Sequence, residues 1–511
     1  MLSKDQAERL RDDFQDAGYT AEAVLARLGD QGQAGVQRNC SVPALRRLAG
    51  CEDAQAQLIR LFPLQQAVPR ASLESVLDIG ALLDAQILDI VPGGAAGVDS
   101  VRALVDVRTH DFEDPDGHWS GWVASDPPPG MDRRTVRTRP DYVLGVSPAS
   151  ISLADLSIPD HVGRALDLGT GSGVQALHLA RHADRVVATD LNPRAVELAR
   201  LTMDLNGLDV TVRSGSLYEP VHRERFDLVV SNPPYVMSPP APEGRRLVYR
   251  EGDFRGDGLV RAVVRGAREH LAEGGVLQVL ANWADIDGQD WKEGLAGWAG
   301  CTGCQTWVVE REHLDIYQYI EMWLTDAGLD GDPSWQQRYR EWLDYFAQLS
   351  VTGVGMGWIM VRNSGCAQPD VHIEQWPYEI AQPVGPAVSR QLRARRFAQL
   401  PGDEILAASY RISSDVVQES IARPGASDPS HIVMRQGSGL KRAMQVDTAL
   451  GGVLGACDGQ LSLAVILDVV ANLLDEDAVA LRERLLPGLR QALTEGFLLQ
   501  TGTTPSASTG G

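Results

Sequence analysis

Eight consecutive residues constrain the fold more than any others in this chain: Leu166-Asp-Leu-Gly-Thr-Gly-Ser-Gly173. A short apolar run leads into glycines at 169, 171 and 173, and a helical pattern from Val174 to His182 comes next. A turn of this kind excludes side chains, so that a ligand can lie against backbone at the carboxyl end of a buried strand. A purely structural strand-to-helix turn also needs glycine, so the turn gains its meaning from the strand beyond it. Arg185-Val-Val-Ala-Thr-Asp190 is the next expected strand, and it ends on an acid 21 positions after Gly169. A carboxylate there can accept hydrogen bonds from both hydroxyls of a ribose.

The middle of the chain keeps this alternating rhythm. Expected strands are Arg164–Leu168, Arg185–Asp190, Val210–Arg213, Phe226–Ser231, Gly275–Ala281, Thr306–Glu310 and Gly357–Val361, with helices at Pro193–Asn206 and Leu259–Leu271. Seven strands alternating with helices predict an α/β fold, a doubly wound, Rossmann-like and mostly parallel sheet. Two further helices, Ile316–Leu324 and Trp335–Leu349, read as an insertion between the last two strands. This domain is bounded at 131 and 365.

The flanks read differently. Residues 1–95 show apolar positions at helical spacing, such as Leu58, Leu61 and Phe62, then Leu82, Leu83 and Leu88. Two strands, Val101–Val107 and Trp119–Ala124, with an acidic turn between them, make 96–130 a hairpin and linker ending at Pro127-Pro-Pro-Gly130. Helices followed by a hairpin form a winged-helix-like pattern. Residues 366–500 read as a second mainly helical, winged-helix-like module with helices at Leu463–Leu474 and Leu481–Leu493, and 501–511 as a disordered Ser/Thr/Gly tail.

Charge narrows the function. The net charge is −21, distributed as −9, −9 and −3 over residues 1–130, 131–370 and 371–511. A nucleic-acid binder takes much of its affinity from a basic surface, so a nucleic-acid partner is disfavoured. The basic runs Arg133–Arg139 and Arg390–Arg396 read as solvated faces. No run approaches the ~18 apolar residues of a membrane span, and the opening residues mix charge with apolar side chains, so no membrane and a cytoplasmic location are expected. Six cysteines make no disulfide framework. Cys301-Thr-Gly-Cys304 lacks a second ligand pair, and His178 and His182 lack a third ligand and read as helix surface, so no metal is expected.

Two motifs carry chemistry. In the glycine turn, Val174 stands where a dinucleotide fingerprint has its third glycine, which favours a phosphate-free nucleoside, S-adenosylmethionine. Asp167 suits the ammonium of its methionine portion. The second motif, Ser231-Asn-Pro-Pro-Tyr235, ends the fourth strand. An amide or aromatic amine is a poor nucleophile because its lone pair is delocalised. The Asn232 side-chain oxygen and the Pro233 carbonyl can accept its N–H groups and turn that lone pair toward a methyl donor. The prolines stiffen the loop, and Tyr235 offers a flat face for stacking.

With these motifs in view, residues 140–285 resemble the HemK-type N5-glutamine methyltransferases that modify peptide-chain release factors. The eukaryotic and archaeal branch is the most similar, because Asn232-Pro-Pro-Tyr-Val-Met-Ser-Pro-Pro240 carries a second Pro-Pro. The likeness continues through Glu251-Gly-Asp-Phe-Arg-Gly-Asp-Gly-Leu259 and Glu273-Gly-Gly-Val-Leu277. The resemblance implies a class I S-adenosylmethionine-dependent methyltransferase with catalytic Asn232, Pro233 and Tyr235. It implies cofactor contacts at Gly169, Gly171, Asp190 and Asn232, and a release-factor-like protein as substrate. Asp167, Thr170, Gly173, Leu191, Ser216 and Leu217 complete the candidate cofactor set. Ser216 departs from the pattern, standing where many relatives have an acid for the adenine amine. Methylation of an adenine or guanine amine in nucleic acid, or of a small molecule, is the alternative.

Overall fold

The computed structural model describes residues 1–93, 99–114, 117–133, 139–240, 254–365, 370–424 and 429–501. Most of the Arg133–Arg139 run, the first three residues of Glu251–Leu259 and the tail beyond Thr501 lie outside the described residues. The chain forms two compact units, one of residues 1–154 and 161–376, the other of residues 155–160 and 377–511.

The first unit is built on a sheet of eight strands: β1 (Val162–Leu168), β2 (Ala183–Asp190), β3 (Val210–Ser214), β4 (Phe226–Ser231), β5 (Leu271–Ile286), β6 (Gln305–Asp315), β7 (Val351–Arg362) and β8 (Val371–Gln375). Their order is β3-β2-β1-β4-β5-β7-β6-β8. All neighbours are parallel except β7, which runs antiparallel to both β5 and β6. The doubly wound sheet therefore has one strand more than the expected seven. In Val371-His-Ile-Glu-Gln375 apolar and polar residues alternate, and the strand pairs with β6 from Thr306↔Val371 to Glu310↔Gln375. The sheet thus runs past the boundary expected at 365.

Helices α1 (Val174–Leu179) and α2 (Pro193–Leu205) follow β1 and β2, and α3 (Gly258–His270) precedes β5. The Asn192 side chain caps α2 by accepting from the Arg194 N–H at 3.0 Å, and Pro193 supplies the preset φ of a first turn. Along α3, Val260, Val263, Val264 and Ala267 recur at helical spacing and are fully buried in one core with Leu166, Val229 and Leu277. The insertion between β6 and β7 is α4 (Ile316–Asp326) and α5 (Trp335–Leu349). Tyr319, Trp342 and Phe346 from these helices form a second core with Val236 and Met237, the residues after Tyr235.

The amino-terminal region differs from the expected helical module in two ways. Leu88 lies in a strand, Leu88–Val91, which joins Ser100–Ala103 and Val68–Pro69 in a small sheet. The expected strand Val101–Val107 is two strands, because the chain passes at Leu104-Val105 from that sheet into the hairpin Asp106–Asp114 with Gly117–Ser125. Nor does the region own a separate core. Phe14, Tyr19, Phe62 and Trp122 pack in one cluster with Leu198, Leu201 and Leu205 of α2. The Asn206 amide closes the contact on the Trp122 backbone, accepting from its N–H at 3.0 Å and donating to its carbonyl at 2.7 Å. Residues 1–130 and the sheet domain share apolar surface that neither can bury alone.

The second unit contains the helices Leu463–Leu474 and Ala478–Thr494, as expected, around a core of Val453, Leu467, Leu481, Leu489 and Phe497. It also holds two three-stranded sheets that the helical reading lacks. One orders Asp458–Ser462, Ser409–Ile412 and Leu498–Gln500, and the other Val416–Ile421, His431–Gln436 and Ala443–Val446. Their strands are three to six residues long, and Val416–Ile421 is mostly exposed, so it shows little apolar alternation.

Candidate active site

Strand order reverses between β1 and β4, and the crevice at their carboxyl ends is where a sheet of this kind takes a ligand. Ser231 at the end of β4 donates its hydroxyl to the Leu168 carbonyl at the end of β1, at 2.7 Å, and fixes the mouth of the crevice. The cavity there has a volume of about 220 Å³.

The glycine turn forms its floor. Gly169 and Gly171 have φ of 81° and 58°, and a Cβ built on either meets no atom within 4 Å. Glycine is required there for backbone conformation, and the space above both is open to a ligand. The Gly169 and Thr170 N–H groups donate to the Thr189 carbonyl, both at 2.9 Å. Asp190 then clamps the turn: its Oδ2 accepts from the Gly171 N–H at 2.9 Å and its Oδ1 from the Asn192 N–H at 2.8 Å. Burial raises the Asp190 carboxyl above the usual carboxylate range, and the N–H groups of Asn192 and Gly171 oppose that rise. Each of its oxygens keeps a second lone pair for a ligand hydroxyl.

Most of the candidate residues meet here. Gly169, Thr170, Gly171, Asp190, Leu191, Ser216, Leu217, Asn232 and Pro233 all line the cavity. Leu191 is 54% exposed at its edge. Leu217 holds a φ of 47°, a conformation costly for a branched side chain and concentrated at functional sites.

Three candidates do not line it. Asp167 is fully buried beneath the turn, where Oδ2 accepts from the Thr170 hydroxyl at 2.6 Å and the Ala176 N–H at 2.9 Å. These bonds staple β1 to α1, while its Oδ1 has no hydrogen-bond partner among the described residues, and burial raises its carboxyl to about 7. Gly173 faces α2, where a Cβ would come within 3.0 Å of the Met203 methyl and 3.4 Å of the Ala199 Cα. Its role is close helix packing. Tyr235 packs among the two cores on either side of the sheet, and burial raises its phenol. Two aromatic side chains do line the cavity among the described residues, Phe254, 43% exposed, and the buried Tyr142.

The facing wall escaped the sequence reading. Tyr142, Val143, Leu144, Gly145 and Ser147 line the cavity. They are held by Asp126, at the end of the hairpin, whose Oδ2 accepts from the Val143 N–H at 2.8 Å. Arg194 of α2 binds the same carboxylate through Nε at 2.9 Å and through Nη2. Asn192 donates to the Asp141 carbonyl at 2.9 Å. The only local signal in Asp141-Tyr-Val-Leu-Gly-Val-Ser-Pro148 is an apolar run ending in proline, and it does not reveal a wall.

The remaining candidates lie elsewhere in the fold. His178 is not on an open helix face: its Nε2 lies 3.1 Å from His110 Nε2 of the hairpin, and burial lowers its pKa to about 3. Arg395 of the basic run is buried, and Arg396 lies over the Phe397 ring. Cys301 is exposed and Cys304 buried. Among the described residues no group of three or more His, Cys, Asp or Glu could hold a metal ion, and no helix is long and apolar enough to cross a membrane.

Residues 148–285 match the family described as Methyltransferase small domain, and residues 16–103 match a domain of unknown function (DUF7059). The chain is 41% identical over 129 residues to the release factor glutamine methyltransferase of Geobacter sulfurreducens, a match covering 23% of this chain and 45% of that protein. It is 31% identical over 173 residues to ribosomal RNA small subunit methyltransferase C of Klebsiella pneumoniae, covering 33% and 44%. The chain thus spans less than half the length of these relatives. Among solved structures, the Thermus thermophilus 16S rRNA N2 G1207 methyltransferase in complex with AdoMet and guanosine is 19% identical, with 50% and 66% covered and a TM-score of 0.26.

Proposed function

We propose, from the premise that residues 148–285 are a methyltransferase small domain, that this chain transfers a methyl group from S-adenosylmethionine to the side-chain amide of a protein glutamine. The observation that carries the reading is one cavity lined by Gly169, Gly171 and Asp190 on one side and by Asn232, Pro233 and Pro234 on the other. The first set suits the donor and the second a planar nitrogen acceptor.

The lining fits this donor by its charge. Among the described lining residues there is no lysine, arginine or histidine to meet a phosphate, and the single ionisable carboxylate is Asp190. A phosphate-free nucleoside carrying a sulfonium cation matches that polarity. Asp190 would accept its ribose hydroxyls and Leu191 would cover the nucleoside. The bound cofactor supplies an electrophilic methyl group, and the rest falls to the protein. Asn232 and the Pro233 carbonyl accept the acceptor's N–H groups, and Phe254 takes the stacking role first given to Tyr235. Asp190, the one carboxylate of the described lining, is committed to the ribose, so the side chains act by orienting the acceptor, and the proton released as the N–CH3 bond forms and the S–CH3 bond breaks passes to water.

One observation favours a second reading, transfer to an adenine or guanine amine of nucleic acid: the 31% identical relative carries ribosomal RNA in its name. The net charge of −21 favours the protein acceptor, because RNA binding draws on phosphate neutralisation. The test incubates the full chain with labelled S-adenosylmethionine and offers release factor, ribosomal RNA and duplex DNA side by side. Label on a glutamine amide is expected. Label on nucleic acid alone refutes the glutamine assignment and leaves the cofactor half standing.

A further inference from the structure

The insertion between β6 and β7 sends two buried tyrosine hydroxyls to two loops that line the acceptor half of the cavity. Asp315 ends β6 and caps α4, its Oδ1 accepting from the Tyr317 and Gln318 N–H groups at 2.9 and 2.8 Å. Tyr319 thus enters in the first turn off the sheet and is fully buried. On α5, Trp342, Tyr345 and Phe346 share one face by their helical spacing, and all three are buried. The Tyr319 ring lies 6.1, 6.2 and 6.0 Å from the rings of Trp323, Trp342 and Phe346. A ring packed on several sides carries its hydroxyl at a fixed point.

That point is a junction. The Tyr319 hydroxyl oxygen accepts from the Met237 N–H at 3.0 Å and from Asn282 Nδ2 at 3.1 Å. Met237 closes the loop that begins with Asn232-Pro-Pro-Tyr, and Asn282 belongs to β5. Pro233 and Pro234 have no N–H, so those two positions cannot donate to a neighbouring strand, and the loop must be held from further along. The Tyr345 hydroxyl does the same for the second loop, accepting from the Gly256 N–H at 2.8 Å. Gly256 has a φ of 56° and stands two residues after Phe254, which lines the cavity.

A tyrosine needed only for its ring can be a phenylalanine, but here each oxygen is the acceptor for a backbone N–H far away in the chain. The cofactor half rests on other supports, Asp190 at the glycine turn and Asp126 behind the facing wall. Given the reading of the cavity as a donor half and an acceptor half, we infer that Tyr319 and Tyr345 are positioning residues for the methyl acceptor. They hold Asn232–Pro234 and Phe254 in place from the insertion, and so act on turnover rather than on cofactor binding.

The test uses the full chain carrying Tyr319→Phe or Tyr345→Phe, each of which removes one oxygen and keeps the ring. Tyr317→Phe is the control, because Tyr317 is 55% exposed on the same helix. Methyl transfer is followed on whichever of release factor, ribosomal RNA or duplex DNA takes the label. Tyr319→Phe should lower kcat by about tenfold or more and raise the acceptor KM, the scale on which misplaced orienting groups cost rate. Tyr345→Phe should act in the same direction. The Kd for S-adenosylmethionine, from calorimetry, should stay native in both. Hydrogen exchange read by mass spectrometry should quicken at Met237 in Tyr319→Phe and at Gly256 in Tyr345→Phe, with the glycine turn unchanged. Native turnover in both variants overturns the inference, and so does a loss of cofactor affinity that matches the loss of rate. If no acceptor takes label, the glutamine reading fails on its own, and native exchange at Met237 and Gly256 still overturns this one. Melting curves identify the variants that fold; should Tyr319→Phe not fold, Tyr345→Phe decides.

Discussion

Asp190→Asn isolates what the carboxylate contributes. In the native site its two oxygens each accept one backbone N–H, from Gly171 and Asn192, at 2.9 and 2.8 Å. An asparagine keeps one oxygen and must set an NH₂ group where the other stood, so a donor faces a donor. One charge-assisted bond is lost, a second becomes neutral, and one buried N–H is left without an acceptor. At about 1–3 kcal/mol for such a loss, the unliganded fold should weaken by that amount. Cofactor affinity should fall by a further ~1–3 kcal/mol, or tenfold to a hundredfold, because one of two ribose hydroxyls loses its acceptor. Asp190→Ala removes both acceptors and should exceed Asp190→Asn in both measures. Urea unfolding gives the first quantity and titration calorimetry with S-adenosylmethionine the second. A variant that is destabilised yet binds with native affinity would show that Asp190 only clamps the turn, and would refute its placement against the ribose.

Four further outcomes are expected. Asn232→Ala should cut the catalytic rate by roughly 10²-fold or more with little change in binding, as for a pre-organised contact made in the transition state; Asn232→Asp should retain partial activity, and unimpaired turnover of Asn232→Ala in single-turnover assays would remove the mechanism. Asp126→Asn should loosen the Tyr142–Ser147 wall and raise the cofactor Kd severalfold, because it weakens both the Val143 and Arg194 contacts, and calorimetry checks this. Expression of residues 131–376 alone should give aggregated protein, since Leu198, Leu201 and Leu205 of α2 lose the partners that bury them; a monomeric, cooperatively unfolding product would show that the amino-terminal region is a separate domain. Finally, Asp167 is raised from its ordinary 3.8 to about 7, so its protonated form is favoured in the fold. Its contribution to stability is full below about pH 4 and is lost as pH rises through 7. Asp167→Asn should flatten that part of the stability profile, measured by urea unfolding at pH 5 and pH 8.

How far the sequence reaches is visible in particular residues. The seven strands of the Rossmann-like pattern, the insertion α4–α5 and the meeting of Gly169, Gly171, Asp190 and Asn232 were legible in the linear text. Each depends on short-range physics: an apolar run that must be buried, a turn that only glycine can make, and a polar residue at a strand end that faces the crevice by topology. That Asp167, Gly173 and Tyr235 do not line the cavity was not legible, because a motif fixes neighbourhood, not the direction in which a side chain points. Asp167 turns beneath the floor to the Ala176 N–H, and Gly173 turns to α2. The wall Tyr142–Ser147 and the shared core of Phe14, Trp122 and α2 depend on residues far apart in the chain, such as Asp126 with Arg194 and Trp122 with Asn206. The sequence by itself determined the sheet and the two ends of the cavity, because those follow from local periodicity and turn chemistry. Tertiary structure alone decided that Asp126 braces the cavity wall and that the amino-terminal region shares a core with α2. Long-range packing chooses among partners that local patterns leave equivalent.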